Sequence, residues 1–287
     1  MLTADEISKA RGRNVVKSNA LAREARYRLS LQAQRVLFYL ISKIEKDDEG
    51  FKKMEFSAIE FCEIAGLSPG GGRDYKEIEG TLTELFNANG WITLPNGMRT
   101  PLSWIERPFR DTENGKIFVK LDDVMRPFLL QLRDNFTQFA LGYAIRFRSK
   151  YAVRMYELLA SFQYADEPIT KTFDLEKLKS LLDADNYEYK DFKKRALLPA
   201  VNEISENSDK TIRITEIKRG RKVFAVEFSI SAKQGAELEA VQAAAGLPRK
   251  RKKRQITTDA ETREHLGHDE EKIEAMRQLL THMQNES

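Results

Sequence analysis

The chain has 287 residues, is 41% hydrophobic, and carries 48 Lys and Arg against 44 Asp and Glu, a net charge of +4. That length fits about two domains that can each bury a core, and so small a net charge makes the placement of the cations more telling than their number. One cysteine, Cys62, excludes an internal disulfide, and with no apolar run of about 18 residues and no N-terminal apolar signal core a soluble, cytoplasmic protein is expected.

The first predicted element is a long helix from about Ser30 to Glu45, with Leu31, Gln34-Arg35, Phe38 and Ile41-Ser42 on a 3–4 spacing and Val36, Leu37 and Leu40 widening the apolar side. A short helix follows from Ser57, where Ser57-Ala58-Ile59-Glu60 has the S-x-x-E pattern of a capping box. Cys62 sits beside Phe61 on its apolar stripe and reads as a buried structural thiol. Pro69-Gly70-Gly71-Gly72 ahead of Arg73 fits either a flexible turn or a phosphate cradle at a helix start, and both hold if the phosphate belongs to DNA. A third helix is predicted from about Asp74 to Ala88, with Ile78, Leu82, Leu85 and Phe86 on one face. Strands are predicted around Trp91–Leu94, Trp104–Phe109 and Lys116–Leu121, with a turn at Asn96-Gly97. The apolar segment from Phe128 to Ile145 joins this half to the next and is expected to pack.

The same order then recurs. A long helix from about Ser149 to Tyr164 has Met155, Tyr156, Leu159 and Phe162 as its stripe, and a short helix capped by Asp174 buries Leu175, Leu178, Leu181 and Leu182. Next come a helix from Tyr189 and a hairpin that closes at Ile230. The starts at 30, 57, 74 and 91 map to 149, 174, 189 and 211, a displacement of about 120 residues each time. Few residues match, so the repeat is one of architecture.

The segment from Tyr189 to Ile230 carries most of the functional signal. On its helix Phe192, Ala196, Leu197, Ala200, Val201 and Ile204 fall within about half the circle, while Asp191, Lys194, Arg195, Leu198 and Asn202 face outward. Pro199 is expected to kink or break the helix, because it lacks a backbone donor. Phe224, Val226, Phe228 and Ile230 alternate as one buried strand face, and Arg219-Gly220 is expected to make the turn. Lys218, Arg219, Arg221 and Lys222 surround that turn and could clamp phosphates. A helix followed by a basic hairpin is the layout of a winged helix, in which the helix enters the major groove and the hairpin follows the phosphates.

After Ser231 an Ala-rich stretch leads to Pro248 and to six consecutive cations, Arg249 to Arg254, which read as a basic tether adding non-specific DNA affinity. Ile273, Met276, Leu280 and Met283 could form a short terminal helix. No Gly-x4-Gly-Lys-[Ser/Thr] pattern occurs, which argues against an NTP-driven motor. His265, His268 and His282 all lie in the tail, and a nickase would need a His pair on a strand within a folded domain. No catalytic residue, metal site or cofactor is therefore expected, and the chain reads as a binding protein, not an enzyme.

At Ser149-Lys150-Tyr151-Ala152-Val153-Arg154-Met155-Tyr156-Glu157-Leu158-Leu159 the chain resembles the iteron-binding replication initiators of theta-replicating bacterial plasmids, the Rep family with two winged-helix domains. Asp191 to Ala200 is similar to the family's recognition helix, including the proline, and Lys218 to Val223 is similar to its wing. Val15 to Leu21 and Leu29 to Arg35 are similar to its opening. The resemblance spans roughly Asn14 to Ser231 and is looser between Phe51 and Leu121. It implies binding to direct repeats at a plasmid origin as a monomer, opening of an adjacent A+T-rich region, and recruitment of host initiator and replicative helicase. It also implies a dimer, formed largely through the first domain, that represses its own gene, with chaperones as further candidate partners.

The expected fold is α+β. Two tandem winged-helix domains, residues 1–132 and 133–232, are related by a pseudo-two-fold internal repeat, and a flexible basic tail covers 233–287. The second domain is expected to read duplex DNA, with Lys194 and Arg195 on base edges and Lys190, Lys193, Lys218, Arg219, Arg221 and Lys222 on phosphates. Arg148, Ser149 and Lys150, with Arg73 and Lys76 in the first domain, are candidates for backbone contacts, and Arg154 is taken as structural. The alternative is a tandem winged-helix transcriptional repressor without initiator activity.

Overall fold

The computed structural model describes residues 1–248 apart from Tyr27, residues 69–71, Asn89 and residues 163–167. The chain opens with helix α1 (Ala4–Arg11), strand β1 (Asn14–Ser18) and helix α2 (Asn19–Glu24), none of them among the predicted elements. Helix α1 is held by a capping box: the Glu6 N–H donates to Thr3 Oγ1 at 3.3 Å, and the Thr3 N–H donates to Glu6 Oε2 at 2.8 Å. Helix α3 (Leu31–Ile41) follows, capped by the Ser30 hydroxyl. Strand β2 (Met54–Ser57) leads into helix α4 (Ala58–Ala65), where Ser57 caps as its S-x-x-E spacing predicts. Gly66 ends α4 at φ 71°, a conformation that favours glycine. Burial, first, and nearby Asp74, second, push the Cys62 thiol up to about 11, in keeping with an inert structural thiol.

Helix α5 (Gly72–Phe86) is followed by strands β3 (Trp91–Thr93), β4 (Arg99–Pro101), β5 (Phe109–Asp111) and β6 (Lys116–Val119). Strands β2, β6 and β5 form one antiparallel sheet in that order, whereas β3 and β4 form a separate hairpin around Asn96-Gly97. Of the strand expected over Trp104–Phe109 there remain a single bridge from Ile105 to Leu121 and Phe109, where β5 begins. The Trp104 N–H is taken by the Leu85 carbonyl at the end of α5, and Pro108 has no donor for a ladder.

The joining segment holds helix α6 (Arg126–Leu129), strand β7 (Phe136–Ala140) and helix α7 (Leu141–Ala144). Strand β7 pairs antiparallel with β1, from Asn14 opposite Ala140 to Ser18 opposite Phe136. A ladder thus spans the boundary expected between 132 and 133.

The second copy comprises helix α8 (Lys150–Ala160), strand β8 (Ile169–Asp174), helix α9 (Leu175–Leu181), helix α10 (Tyr189–Phe192), a π-helical turn (Lys193–Leu197), helix α11 (Leu198–Asn207) and strands β9 (Lys210–Arg219) and β10 (Lys222–Ala232). Its sheet order is β8-β10-β9, the counterpart of β2-β6-β5: the strand between the first two helices pairs with the far strand of the hairpin. The repeat is real, with one correction. The counterpart of β9–β10 is β5–β6, and the strand at Trp91 belongs to a hairpin that, among the described residues, the second copy lacks.

The two copies share one apolar core. Phe38 of α3 meets Phe139 of β7, and Tyr156 of α8 meets Phe139, Tyr143 and Phe147, all edge to face. Inside it lies an ionic cluster. Lys17 of β1 donates to Glu157 Oε1 of α8 at 2.5 Å, and both side chains are fully buried. Arg154 donates to Glu157 Oε2 and to the Ala22 carbonyl at 2.8 Å each, and to the Ala25 carbonyl at 2.9 Å. Arg154 is thus structural, as expected.

Part of the expected tail is built into this body. Helix α12 (Gly235–Ala244) runs from the end of β10, buries Val241 and packs on α11. Its alanines favour a helix where the composition suggested a loose tether. Arg146 donates to the Ala244 carbonyl, and Leu247 and Pro248 close over Gly142 and Gly12. A Cβ on Gly142 would stand 2.7 Å from Leu247 Cδ2 and 3.1 Å from both the Ala245 carbonyl and Arg11 Cβ. Gly142→Ala is expected to lower stability by roughly 1 kcal/mol in urea unfolding, overpacking of about 1–3 kcal/mol being offset by up to about 1 kcal/mol of helix propensity. Unchanged or raised stability would show that this closure is slack. The basic run at 249–254, the three histidines and the helix suggested by Ile273 to Met283 lie outside the described residues.

Candidate nucleic-acid interface

The face expected to be buried on the Tyr189 segment is buried: Phe192, Ala196, Leu197, Ala200 and Ile204 are wholly inaccessible and Val201 nearly so. The kink expected at Pro199 takes the form of the π-helical turn just before it. The Leu198 N–H reaches back to the Lys193 carbonyl, a five-residue step. Proline would collide with the carbonyl four residues back, and widening the helix by one residue per turn removes that collision. Helix α11 therefore continues from α10 with its apolar face in register.

On the outer face Lys190, Lys194, Arg195, Leu198, Pro199 and Asn202 are exposed. A shallow depression is lined by Tyr189, Lys190, Lys193, Lys194, Leu198, Pro199 and Asn202. Lys194, expected on a base edge, borders it. Arg195, its expected companion, does not; its Nε lies 3.3 Å from Asp191 Oδ1 in a surface pair between two well-exposed side chains. Such a pair is worth little and leaves the guanidinium available. Lys193 differs, because its ammonium is bonded to Glu216 on β9. That bond first, and the neighbouring Tyr189 hydroxyl second, hold the Glu216 carboxyl below the usual carboxylate range. Lys193 thus ties the helix to the base of the wing.

The wing is the tip of β9–β10. Arg219 pairs with Lys222, so the turn residues are Gly220 and Arg221, one position beyond the expected Arg219-Gly220. Gly220 stands at φ 61°, as the first central residue of a tight hairpin turn requires. Lys218, Arg219, Arg221 and Lys222 are all exposed around it. Phe224 departs from the predicted alternation. The register slips between Val223 and Ala225, so Ala225, Val226, Phe228 and Ile230 are buried and Phe224 is exposed. The Arg219 guanidinium lies 3.5 Å from the centre of the Phe224 ring, which holds that cation against the strand beside the turn.

The three residues at the start of α8 separate. Ser149 is its N-cap, accepting from the Tyr151 N–H at 3.2 Å, and Lys150 is paired with Asp183 at 2.7 Å. The Arg148 side chain is exposed, and its backbone N–H donates to Glu203 of α11 at 2.5 Å. In the first domain Lys76 is exposed on α5, while the Arg73 side chain and residues 69–71 lie outside the described residues. Among the described residues no cluster of His, Cys, Asp and Glu could hold a metal ion, and no helix is long and apolar enough to cross a membrane.

Two helix–strand–helix–helix–hairpin units, the second with an open cationic helix face and a cationic wing, define a protein with tandem winged-helix domains. Comparison with known families gives the next step. Residues 14–160 match the family model described as Initiator Replication protein, WH1, and residues 174–230 match that described as Initiator Rep protein, WH2. The chain belongs to this family of replication initiator proteins. Its fold is similar to that of the Pi initiator protein in its crystal structure with iteron DNA, with a TM-score of 0.65 and 18% identity over 78% of this chain and 99% of that one. Domains 2 and 3 of RctB also match, with a TM-score of 0.44 and 11% identity over 71% of this chain and 82% of that one.

Proposed function

We propose that this chain initiates plasmid replication by binding directly repeated duplex DNA at the origin. The α10–α11 helix lies in the major groove and the β9–β10 wing follows the phosphates. The observation that carries this is the open face of that helix: Lys190, Lys194, Arg195 and Asn202 point outward while the opposite face is closed into the core. Family membership supports the initiator role, and the Pi protein of similar fold was crystallised with iteron DNA. The bound chain then promotes opening of adjacent A+T-rich DNA and recruits the host initiator and helicase, and as a dimer it represses its own gene. It has no covalent chemistry to perform in this scheme.

Transformation tests the role. A plasmid carrying only this gene and its flanking repeats should replicate, whereas a repressor alone would bind the same DNA and leave the plasmid unreplicated. Gel shifts on repeated and scrambled origin DNA test the contacts. Arg195→Ala should cost about 1–3 kcal/mol of binding and relax preference at one base position. Affinity and specificity that survive the double change Lys194→Ala, Arg195→Ala would remove the helix from the groove.

A further inference from the structure

The depression on α10–α11 is chemically divided. Its N-terminal half is cationic, with Lys190 and Lys194, and its C-terminal half is formed by Leu198, Pro199 and Asn202. Lys190, Lys194, Leu198 and Asn202 recur every four residues along the helix, so they address a single track. Leu198 is 36% exposed where the adjacent Leu197 is wholly buried. A solitary exposed leucine needs no explanation. This one is extended by the exposed Pro199 ring and bordered by two ammonium groups with no partner among the described residues. Asn202 is equally uncommitted. Nearby Asn207 donates to the Glu203 carbonyl at 3.1 Å, while the Asn202 amide makes no such bond among the described residues.

We propose that Leu198, Pro199 and Asn202 make this half of the helix a reader of A·T base pairs, with a thymine 5-methyl group seated against Leu198 and Pro199 and the adenine N6–N7 edge on the Asn202 amide. The chemistry is specific on both counts. In the major groove only thymine presents a methyl group, and an apolar side chain discriminates by covering it. An asparagine amide can donate to adenine N7 and accept from N6, a pattern no other base offers in that arrangement. Lys194 beside them favours guanine O6 and N7, so the recognised element should run from a G·C pair into A·T pairs along one groove. The proposal rests on the placement of the helix argued above and adds to it the bases that are read.

The test uses the full chain and a pool of duplexes with about 20 randomised base pairs, room for two domains one helical turn apart. Selection should enrich a sequence in which a G·C position is followed by A·T positions. Replacing enriched thymines by uracil, one at a time, removes only the methyl group and should weaken wild-type binding about fourfold at one position. Leu198→Ala should be indifferent to that replacement. Replacing an enriched adenine by 7-deazaadenine should weaken wild-type binding at least about fivefold, and Asn202→Ala should not feel it. Both residues are exposed, so retained enrichment at the G·C position shows that each variant is folded. Wild-type binding that ignores every uracil and deaza replacement overturns the proposal, as does a penalty that persists in the two variants. If the Lys194→Ala, Arg195→Ala chain then loses only its G·C preference, the helix placement stands and the A·T reader alone falls. If that variant enriches the same sequence as wild type, the helix placement falls and the proposal with it.

Discussion

Glu157→Ala is expected to destabilise the protein by about 3–5 kcal/mol, the cost of removing the carboxylate from a buried ion pair. Lys17 is fully inaccessible, and its ammonium group meets the Glu157 carboxylate and lies over the rings of Phe38 and Trp104, at 4.7 Å and 5.5 Å from their centres. Those ring faces are worth about 0.5–2 kcal/mol to a cation and would not replace the lost carboxylate. Arg154 would keep its bonds to the Ala22, Ala25 and Leu181 carbonyls, so the damage should centre on Lys17. Burial already pulls the Lys17 ammonium below the usual lysine range, and Glu157 pulls it back up. Without Glu157 the folded value falls further, and the unfolded chain then binds more protons than the folded one between the two values. Stability of the variant should therefore rise with pH across that window, narrowing its deficit. The double change Lys17→Met, Glu157→Gln should recover most of the loss, because no charge is then stranded and glutamine can still accept from Arg154. Urea unfolding followed through the buried Trp104 measures all three proteins. A Glu157→Ala deficit under about 1 kcal/mol would mean that water reaches Lys17 and that the cluster does not lock β1 to α8.

The same cluster shows what the sequence could and could not disclose. Ser149, Arg154, Tyr156 and Glu157 stand out in the family-like segment, and all four are structural: Ser149 caps α8, Arg154 and Glu157 hold the ionic cluster, and Tyr156 anchors the aromatic core and donates to Asp209. Lys17 gave no such signal, because a lysine in a short strand looks solvent-facing until its partner on a distant helix is known. Periodicity located the helices α3, α4, α5, α8 and α9, and capping residues placed several of their starts within a residue. It failed where backbone irregularity intervened. The slip between Val223 and Ala225 moved Phe224 to the surface, and no alternation pattern announces such a slip. Pro199 did announce a disturbance, but its form, a π-helical turn that keeps the helix in register, depends on the packing of Phe192 and Leu197 beneath it. Side-chain pairing was also invisible: Lys193 and Lys194 are neighbours of identical chemistry, yet one is tied to Glu216 and the other faces the depression.

The wing should account for a large part of the salt dependence. Changing Lys218, Arg219, Arg221 and Lys222 together to alanine should reduce the slope of log affinity against log salt by roughly 3–4 units, since each neutralised phosphate contributes about 0.9. Between 50 and 200 mM salt, wild-type affinity would then fall by about 100-fold more than that of the variant. The preference for one sequence over another should be nearly unchanged, because phosphate contacts position the protein and base contacts specify. The four positions are not equal. Lys218, Arg221 and Lys222 are exposed and make no hydrogen bond or ion pair among the described residues, whereas Arg219 is stacked on Phe224. Arg221→Ala alone should remove about one unit of slope. Phe224→Ala should remove less than one, because it frees the Arg219 guanidinium without deleting its charge, and the loss should appear as a modest fall in affinity at every sequence alike. Titrations of specific and scrambled duplexes over a range of salt separate these outcomes. A fourfold variant whose slope matches wild type would place the phosphates elsewhere, with Arg148 and Lys76 the first exposed cations to examine. A variant that loses sequence preference in step with affinity would instead put the wing on base edges, and the division of labour between helix and wing would have to be redrawn.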